Sequence, residues 1–171
     1  TDLKNLGLLS ERGNFLFKNR IIFPITNLRN ETVGFGGRAI EDFGTKYLNT
    51  AESSIYRKNR TLYFTNEFLS DLKKKKFVIL VEGYFDVLAF NKLGYNNVAS
   101  PSGTALTVQQ INLLSRYTKD IYLCFDNDEA GDNASKRVLE IKNNQPSEIN
   151  FFKLNLPQEF KDISELYESG S

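Results

Sequence analysis

The chain has 171 residues, of which 40% are hydrophobic, and a formal net charge of +1. This composition excludes an intrinsically disordered protein, and no apolar run is long enough to cross a membrane. A single cysteine and the absence of histidine exclude an intrachain disulfide framework and argue against a structural zinc site. Charge is uneven: residues 1–76 carry 14 Lys and Arg against 8 Asp and Glu, whereas residues 77–171 carry 8 against 13.

The basic first half predicts a small, mostly β subdomain of mixed structure. Strand-like runs at Arg20–Thr26 and Thr32–Arg38 flank a polar turn. The lysine run Lys73–Lys76 is interpreted as a solvated linker between the halves. We therefore expect a subdomain over residues 1–66 and a second domain over residues 67–171.

The second half alternates between strand-like and helix-like patterns, which is typical of a parallel sheet with crossover helices. The predicted strands are Phe77–Val81, Asn97–Ser100, Ile121–Phe125 and Ile149–Leu154, and the predicted helices are Tyr84–Leu93, Thr107–Tyr117 and Ala130–Lys142. Gly94 stands at a C-cap position, and Thr107 and Gln110 have capping-box spacing. The predicted fold class is α/β.

Two of the predicted strands end in carboxylates. Glu82 follows the first strand, with Asp86 four residues later, and Asp126 and Asp128 follow the third strand. Ligands collect at the carboxyl edge of a parallel sheet, and extended geometry would place Asp126 and Asp128 on one face. Alone, these two aspartates would be helix-capping residues. Together, the four acids favour a site for a hard divalent cation such as Mg²⁺.

These motifs resemble those of a known family. Residues 81–87 and 125–131 are similar to the signature of the Toprim fold, which bacterial primases, topoisomerases and some nucleases share. The first half resembles the RNA polymerase core of bacterial DnaG-type primases, with matching segments in the same order: residues 20–25, 34–38, 46–49 and the segment around Lys58. The resemblance runs from about Asn14 to Gly170. It implies a Toprim-type parallel sheet flanked by helices and preceded by the small β subdomain.

The resemblance also implies roles for the acidic residues. Glu82 matches a glutamate beside the metals and is the candidate general base, and the matched metal-binding positions are Glu82, Asp86, Asp126, Asp128 and Asp162. Asp162 corresponds to the first aspartate of a later Asp-x-Asp pair, whose second position is Ser164 here. Either Glu165 takes over the missing role or one ion is held more weakly.

Basic and polar positions match residues that face nucleotide phosphates and the template. They are Arg20, Arg38, Lys46, Asn49 and Lys58. A second departure from the family is the loop Ser100–Thr104, which is one residue longer than usual before its Gly-Thr pair.

The implied function is synthesis of short RNA primers from NTPs on a single-stranded DNA template, by metal-dependent nucleotidyl transfer. The implied cofactor is Mg²⁺ or Mn²⁺, with two or more ions when an NTP is bound, and the product is an RNA–DNA hybrid. The replicative helicase and a single-strand binding protein are expected to bind through parts absent from this chain. No membrane partner is expected, and the expected location is the bacterial cytoplasm, at the nucleoid and replisome.

The chain starts at Thr1 without Met, so we expect an excised fragment of the catalytic core with weak activity of its own. Two other function classes stay open. One is another Toprim enzyme, a topoisomerase or a nuclease, although a topoisomerase needs a tyrosine nucleophile on a separate domain for which the chain has no room. The other is a non-catalytic module that holds single-stranded DNA through the basic half while the acids are structural.

Overall fold

The computed structural model describes residues 2–41, 44–144 and 148–170. The chain divides into two compact units, residues 1–61 and residues 62–171. The functional division predicted at residues 66 and 67 stays a prediction. No helix in the described part of the chain has the length and apolarity that crossing a membrane requires.

The first unit is built around an antiparallel sheet of three strands in the order β1-β2-β3. Its elements are helix α1 (Asp2–Asn5), strands β1 (Arg20–Thr26), β2 (Thr32–Ala39) and β3 (Tyr47–Asn49), and a 3-10 turn (Lys58–Arg60). Phe23 and Ile25 of β1 are buried. The prediction of a mostly β first half is therefore confirmed.

The second unit is built around a parallel sheet of four strands in the order β5-β4-β6-β7, with helices that cross over between strands. The strands are β4 (Phe77–Leu80), β5 (Val98–Ala99), β6 (Asp120–Leu123) and β7 (Asn150–Lys153). The helices are α2 (Phe68–Lys75), α3 (Tyr84–Lys92), α4 (Val108–Leu114), α5 (Glu129–Asn144) and α6 (Ile163–Glu168). This arrangement confirms the predicted α/β fold class with a parallel sheet.

The predicted helix boundaries hold where capping residues were visible. The side-chain oxygen of Thr107 accepts a hydrogen bond from the backbone N–H of Gln110 at 3.2 Å, and the Gln110 side chain accepts one from the N–H of Thr107 at 3.0 Å. Gly94 follows α3 with a φ of 87°, the left-handed conformation that glycine adopts without strain.

The lysine run is not a linker. Lys73, Lys74 and Lys75 form the last turn of α2, whose residues Phe68 and Leu72 are fully buried. Cationic side chains at the C-terminal end of a helix offset its dipole, so the run closes a helix that packs on the core.

Strand β6 ends at Leu123, two residues before the end of the apolar run. The expectation that Asp126 and Asp128 share one face of an extended strand is therefore wrong, because both lie in the loop between β6 and α5. The loop leaves the sheet because the backbone N–H of Asp126 donates to the Glu82 side chain and that of Asn127 donates to the carbonyl of Lys161.

Candidate active site

The ends of two adjacent parallel strands place Glu82 and Asp126 side by side. Glu82 lies two residues beyond β4, and its Oε1 accepts a hydrogen bond from the backbone N–H of Asp126 at 3.1 Å. Burial raises the pKa of Glu82; the hydrogen bond from Asp126 opposes the shift, and the charges of Asp128 and Asp86 add to it. A glutamate with a raised pKa accepts a proton more readily, which suits a general base.

Asp86 occupies the first turn of α3, as its spacing from Glu82 predicts. Its side chain is buried; Oδ2 accepts a hydrogen bond from the N–H of Gly83 at 2.9 Å, and Oδ1 accepts one from the hydroxyl of Ser164 at 3.0 Å. Burial raises the pKa of Asp86, and both hydrogen bonds oppose that shift. The serine that departs from the family pattern thus contacts one of the predicted metal ligands.

Asp126 is the acid with the least support from the protein. Its half-buried carboxylate accepts no hydrogen bond from the part of the chain that the structure describes. Burial raises the pKa of Asp126 to about 7, and the negative charges of Glu82, Asp86 and Asp162 add to the shift. A carboxylate in this state gains most from a cation.

Asp128 differs from Asp126 although it is only two residues away. Its Oδ1 accepts a hydrogen bond from the N–H of Gly131 at 3.0 Å, and its Oδ2 lies 3.5 Å from the Lys161 ammonium. The Gly131 N–H lowers the pKa of Asp128, and Lys161 adds to this effect. Asp128 therefore has the helix-capping contact that was the alternative explanation for it.

Asp162 caps the N-terminus of α6, where its Oδ1 accepts a hydrogen bond from the N–H of Glu165 at 2.8 Å. Glu165 is exposed, and its Oε2 accepts a hydrogen bond from the N–H of Lys161 at 2.6 Å. Glu165 thus takes part in capping, whereas Ser164 contacts Asp86. We call the five acids Glu82, Asp86, Asp126, Asp128 and Asp162 the acidic cluster.

One residue beside the acids, Asn127, was not indicated by the sequence. Asn127 donates its backbone N–H to the carbonyl of Lys161 at 2.7 Å. Its side-chain amide lies within hydrogen-bonding distance of three more carbonyl oxygens of the same segment, those of Phe160 (2.8 Å), Pro157 (3.1 Å) and Leu156 (3.4 Å). Asn127 therefore ties the segment that leads to Asp162 to the turn between the other aspartates. An Asn between two Asp residues is a turn signal, but it does not reveal the partner segment.

The acids do not form a ready-made metal site. Among the described residues, no three acidic or thiol side chains are arranged so that they could hold a metal ion as they stand. Protein donors occupy oxygens of Asp86, Asp128 and Asp162. The donor set nevertheless consists of carboxylate oxygens, and the Asp126 carboxylate accepts no hydrogen bond from the described residues. This chemistry fits a hard divalent cation.

The predicted nucleotide-binding residues lie in the first unit. The Arg20 guanidinium donates to the carbonyl oxygens of Gly37 at 3.4 Å and Lys46 at 3.3 Å, so it braces the sheet. The Arg38 guanidinium donates to the hydroxyl of Tyr47 at 3.1 Å and lies 5.6 Å from the centre of the same ring. Lys46 itself is exposed.

The strand register separates these residues. Arg38 pairs with Tyr47, and Asn49 lies two residues further along β3, so Arg38 and Asn49 lie on one face of the sheet. Arg20 pairs with Ala39, the neighbour of Arg38, and therefore lies on the opposite face.

Lys58 lies outside the sheet, in the 3-10 turn, where its backbone N–H donates to Glu52 at 3.1 Å. Binding of nucleotide phosphates and template by Arg20, Arg38, Lys46, Asn49 and Lys58 stays a prediction.

Two family models match the chain. The Toprim-like family matches residues 79–167, and the N-terminal domain of the DNA primase catalytic core matches residues 1–69. The first match contains the whole acidic cluster, and the second contains the predicted nucleotide-binding residues.

Curated relatives carry the same name. The DNA primase of Aquifex aeolicus is 43% identical over 127 residues, which cover 74% of this chain and 26% of that protein. The DNA primase of Rickettsia typhi is 40% identical over 161 residues, which cover 90% of this chain and 27% of that protein. The chain spans about a quarter of the length of these relatives.

Solved structures agree. A DNA primase domain from Pseudomonas aeruginosa matches with a TM-score of 0.88 and 33% identity, covering 98% of this chain and 54% of that one. A DnaG primase catalytic domain bound to single-stranded DNA matches with a TM-score of 0.86 and 32% identity, covering 98% and 53%. These matches do not favour a topoisomerase or a nuclease. The chain belongs to the DnaG-type bacterial DNA primase family, and it corresponds to part of the catalytic core.

Proposed function

We propose that this chain carries the nucleotidyl-transfer site of a primase, which synthesises short RNA primers from NTPs on single-stranded DNA. The observation that supports this most is Asp126, a half-buried carboxylate with a raised pKa that accepts no hydrogen bond from the described residues. It lies among four more acids: Glu82, Asp86, Asp128 and Asp162. A binding module would not need so unfavourable a cluster. A metal-dependent polymerase needs it because its cations offset the repulsion.

In this proposal the cofactor is Mg²⁺ or Mn²⁺, with two or more ions when an NTP is bound. The residues that would hold the ions are Glu82, Asp86, Asp126, Asp128 and Asp162. When bound, the metal stabilises negative charge on the attacking and leaving oxygens. Glu82 takes the proton of the attacking 3′-hydroxyl as the new bond forms between the 3′-oxygen and the α-phosphorus. The bond between the α-phosphorus and the bridging oxygen breaks, and pyrophosphate leaves.

The basic subdomain, residues 1–66, binds the triphosphate and the template, and residues 67–171 carry the catalytic acids. The side chains assigned to nucleotide and template are Arg20, Arg38, Lys46, Asn49 and Lys58. A related DnaG catalytic domain is solved bound to single-stranded DNA, which supports the template as a partner. An RNA–DNA hybrid is the product, and the helicase and the single-strand binding protein act through other parts of the primase, in the cytoplasm at the replisome.

Metal binding tests the acidic cluster. We expect the double substitution Asp126→Asn and Asp128→Asn to abolish Mn²⁺ binding, measured by electron paramagnetic resonance of the free ion. Asp132→Asn is the matched control, because Asp132 is an exposed acid of α5 that pairs with Lys153. Unchanged Mn²⁺ affinity in the double variant would contradict the metal site.

Nucleotide binding tests the basic subdomain. We expect Lys46→Ala to weaken ATP binding and to leave Mn²⁺ binding intact, because phosphate recognition and metal ligation use different groups. Lys73→Ala, in the last turn of α2, is the control. Equal ATP affinity in Lys46→Ala and the parent would make Lys46 an ordinary surface charge.

Assays of the parent chain separate the function classes. We expect incorporation of NTPs on a single-stranded template in the presence of Mn²⁺. Cleavage of supercoiled DNA without incorporation would support another Toprim enzyme. DNA binding that is independent of metal, again without incorporation, would support a non-catalytic module.

A further inference from the structure

A cavity of about 410 Å³ adjoins the acidic cluster within the second unit. It lies between the loop of residues 101–106 and helix α5, and Glu82 forms part of its wall. Binding pockets for small ligands and cofactors measure roughly 300 to 1,000 Å³, so the cavity has the size for one nucleotide. Among its lining residues, only Glu82 has a role in the mechanism proposed above.

The lining of the cavity has two chemical characters. Apolar residues form its interior: Pro101, Leu106, Phe125, Ala134 and Val138. Asn133 and Arg137 also line it, and both are exposed. Neither side chain forms a hydrogen bond or ion pair with the residues that the structure describes. An apolar interior beside an amide and a guanidinium suits a ligand that joins a planar ring to an anion.

One face of α5 connects the cavity to the acids. Ala130, Asn133 and Arg137 recur at helical spacing, with Ala134 and Val138 beside them. Ala130 follows the turn of Asp126 and Asp128 directly, and Arg137 lies about 10 Å further along the helix axis. The Arg137 guanidinium and the acids thus lie toward opposite ends of this helix face.

The opposite wall is anchored to Glu82. The Ser100 hydroxyl donates to the backbone carbonyl of Glu82 at 2.6 Å and accepts a hydrogen bond from the N–H of Ser102 at 2.8 Å. Ser102 and Gly103 then adopt left-handed conformations, with φ of 57° and 80°. A non-glycine residue in this region is strained, and such strain often accompanies binding loops. The loop that is longer than usual in the family therefore forms a wall of this cavity.

We propose that the cavity holds the ribonucleotide that supplies the attacking 3′-hydroxyl, that is, the initiating nucleotide or the 3′ end of the primer. Its base packs against the apolar interior, its 3′-hydroxyl lies toward Glu82, and Arg137 binds the phosphate on its 5′ side. This assignment rests on the proposed function and adds a second nucleotide site to it. The incoming NTP, by contrast, is assigned to the basic subdomain.

Methyl NMR tests occupancy without metal or turnover. The chain labelled at alanine and valine methyl groups is titrated with GTP in the presence of a chelator. We expect the signals of Ala134 and Val138 to shift, and we expect Arg137→Ala to weaken the Kd read from those signals about tenfold or more, because a charge-assisted contact is lost. Lys136→Ala, an exposed cation of the same helix that does not line the cavity, is the control. Ala134→Leu, which fills the cavity, should abolish the shifts.

Kinetics then distinguishes the two nucleotides. On a template that directs a dinucleotide of two different bases, each NTP is varied separately. Arg137→Ala should raise the KM of the nucleotide that becomes the 5′ residue about tenfold and leave the KM of the other unchanged. Cavity methyl signals that do not respond to GTP, or an equal change in both KM values, would overturn the assignment.

Failure of the proposed function gives a different pattern. Shifts of the cavity methyl signals without any NTP incorporation would keep the nucleotide site and remove the polymerase. Incorporation that is unaffected by Arg137→Ala and Ala134→Leu would keep the polymerase and remove the cavity site.

Discussion

The two units gather their functional candidates by different rules. In the second unit the sheet is parallel, and loops that follow β4 and β6 bring Glu82 and Asp126 into direct contact although they are 44 residues apart. In the first unit the sheet is antiparallel, and alternation along its strands puts Arg20 on the opposite face from Arg38. A parallel sheet concentrates residues at one edge, whereas an antiparallel sheet distributes neighbours over two faces.

This difference explains why the acidic residues can be assigned with fewer assumptions. Burial raises the pKa of Asp126, and the charges of the neighbouring acids add to the shift. The two arginines contact their own sheet: Arg20 donates to the carbonyl of Lys46, and Arg38 donates to the hydroxyl of Tyr47. Their binding of a nucleotide is a prediction for the nucleotide-bound protein. Substitutions at the acidic edge and in the basic unit test this difference.

The largest effect is expected from Gly131, on which the acidic edge depends for a close backbone approach. A Cβ at this position would lie 2.1 Å from the carbonyl oxygen of Asp126. We expect Gly131→Ala to lower the free energy of unfolding by about 3 kcal/mol in urea denaturation, because the turn must move. The converse change Ala130→Gly, one residue earlier, should cost only about 0.5 kcal/mol. A stable Gly131→Ala variant would show that the turn is loosely held.

The next largest effect is expected at Asp126 and Asp128, where substitution by Asn should change the free energy of unfolding in opposite directions. The pKa of Asp126 is about 7 in the folded state against an ordinary 3.8, so the parent loses stability as pH rises from about 4 to 7. Asp126→Asn should remove this loss and raise the free energy of unfolding at pH 8 by about 1.5 kcal/mol, a value reduced because the group is half exposed.

Asp128→Asn should not stabilise the protein. The pKa of Asp128 is lowered, so its ionised form adds stability that is lost only as pH falls through that lowered pKa. We expect a decrease of about 0.5 kcal/mol at pH 8, since the pair with Lys161 is partly exposed. Thermal and urea unfolding of both variants at pH 4 and pH 8 measures the contrast, and equal effects of the two substitutions would remove it.

A smaller effect is expected from Asn127, which holds the segment before Asp162. Asn127→Ala should weaken Mn²⁺ affinity about tenfold, as loss of a residue that orients ligands does. Hydrogen exchange at residues 156–161 should also accelerate in the metal-free protein. Asn112→Ala, a substitution of an exposed asparagine of α4, serves as the control. If Asn127→Ala changes neither quantity, the segment is held by other contacts.

The smallest effect concerns the basic unit. Arg38→Ala should reduce the slope of log affinity for single-stranded DNA against log salt by about 0.7, the loss of one phosphate contact. Lys73→Ala should leave the slope unchanged. An unchanged slope in Arg38→Ala would assign this arginine to Tyr47 and the sheet alone.

The sequence predicted the parallel sheet well because strands, caps and acids follow local rules. The spacing of Thr107 and Gln110 predicts their capping box, and the glycine at position 94 predicts the left-handed end of α3. The position of Asp86 in the first turn of the helix that follows Glu82 comes from the same reasoning. These features require no knowledge of distant partners.

The rest depends on contacts between remote segments. The early end of β6 follows from hydrogen bonds to Glu82 and Lys161, which the apolar run does not encode. Ser164 could be recognised as a departure from the family, but its contact with Asp86 could not be predicted. The prediction of a linker at Lys73–Lys76 was wrong because it considered only the charges of the run. The apolar residues Phe68 and Leu72, which anchor α2, are the ones that indicate a packed helix.

The hydrogen bond between Ser164 and Asp86 joins residues 78 positions apart. We expect this contact to form after the sheet, because a contact between segments so distant in the chain carries a loop-closure cost that local contacts do not carry. During synthesis, domains fold as the chain emerges, and the acids at residues 82–128 are made before the segment that completes their surroundings. The nascent chain therefore lacks the Ser164 donor to Asp86 until residue 164 leaves the ribosome. The buried Asp86 carboxylate therefore receives this hydrogen bond only after the strands of its sheet, the last of which ends at Lys153, have been synthesised.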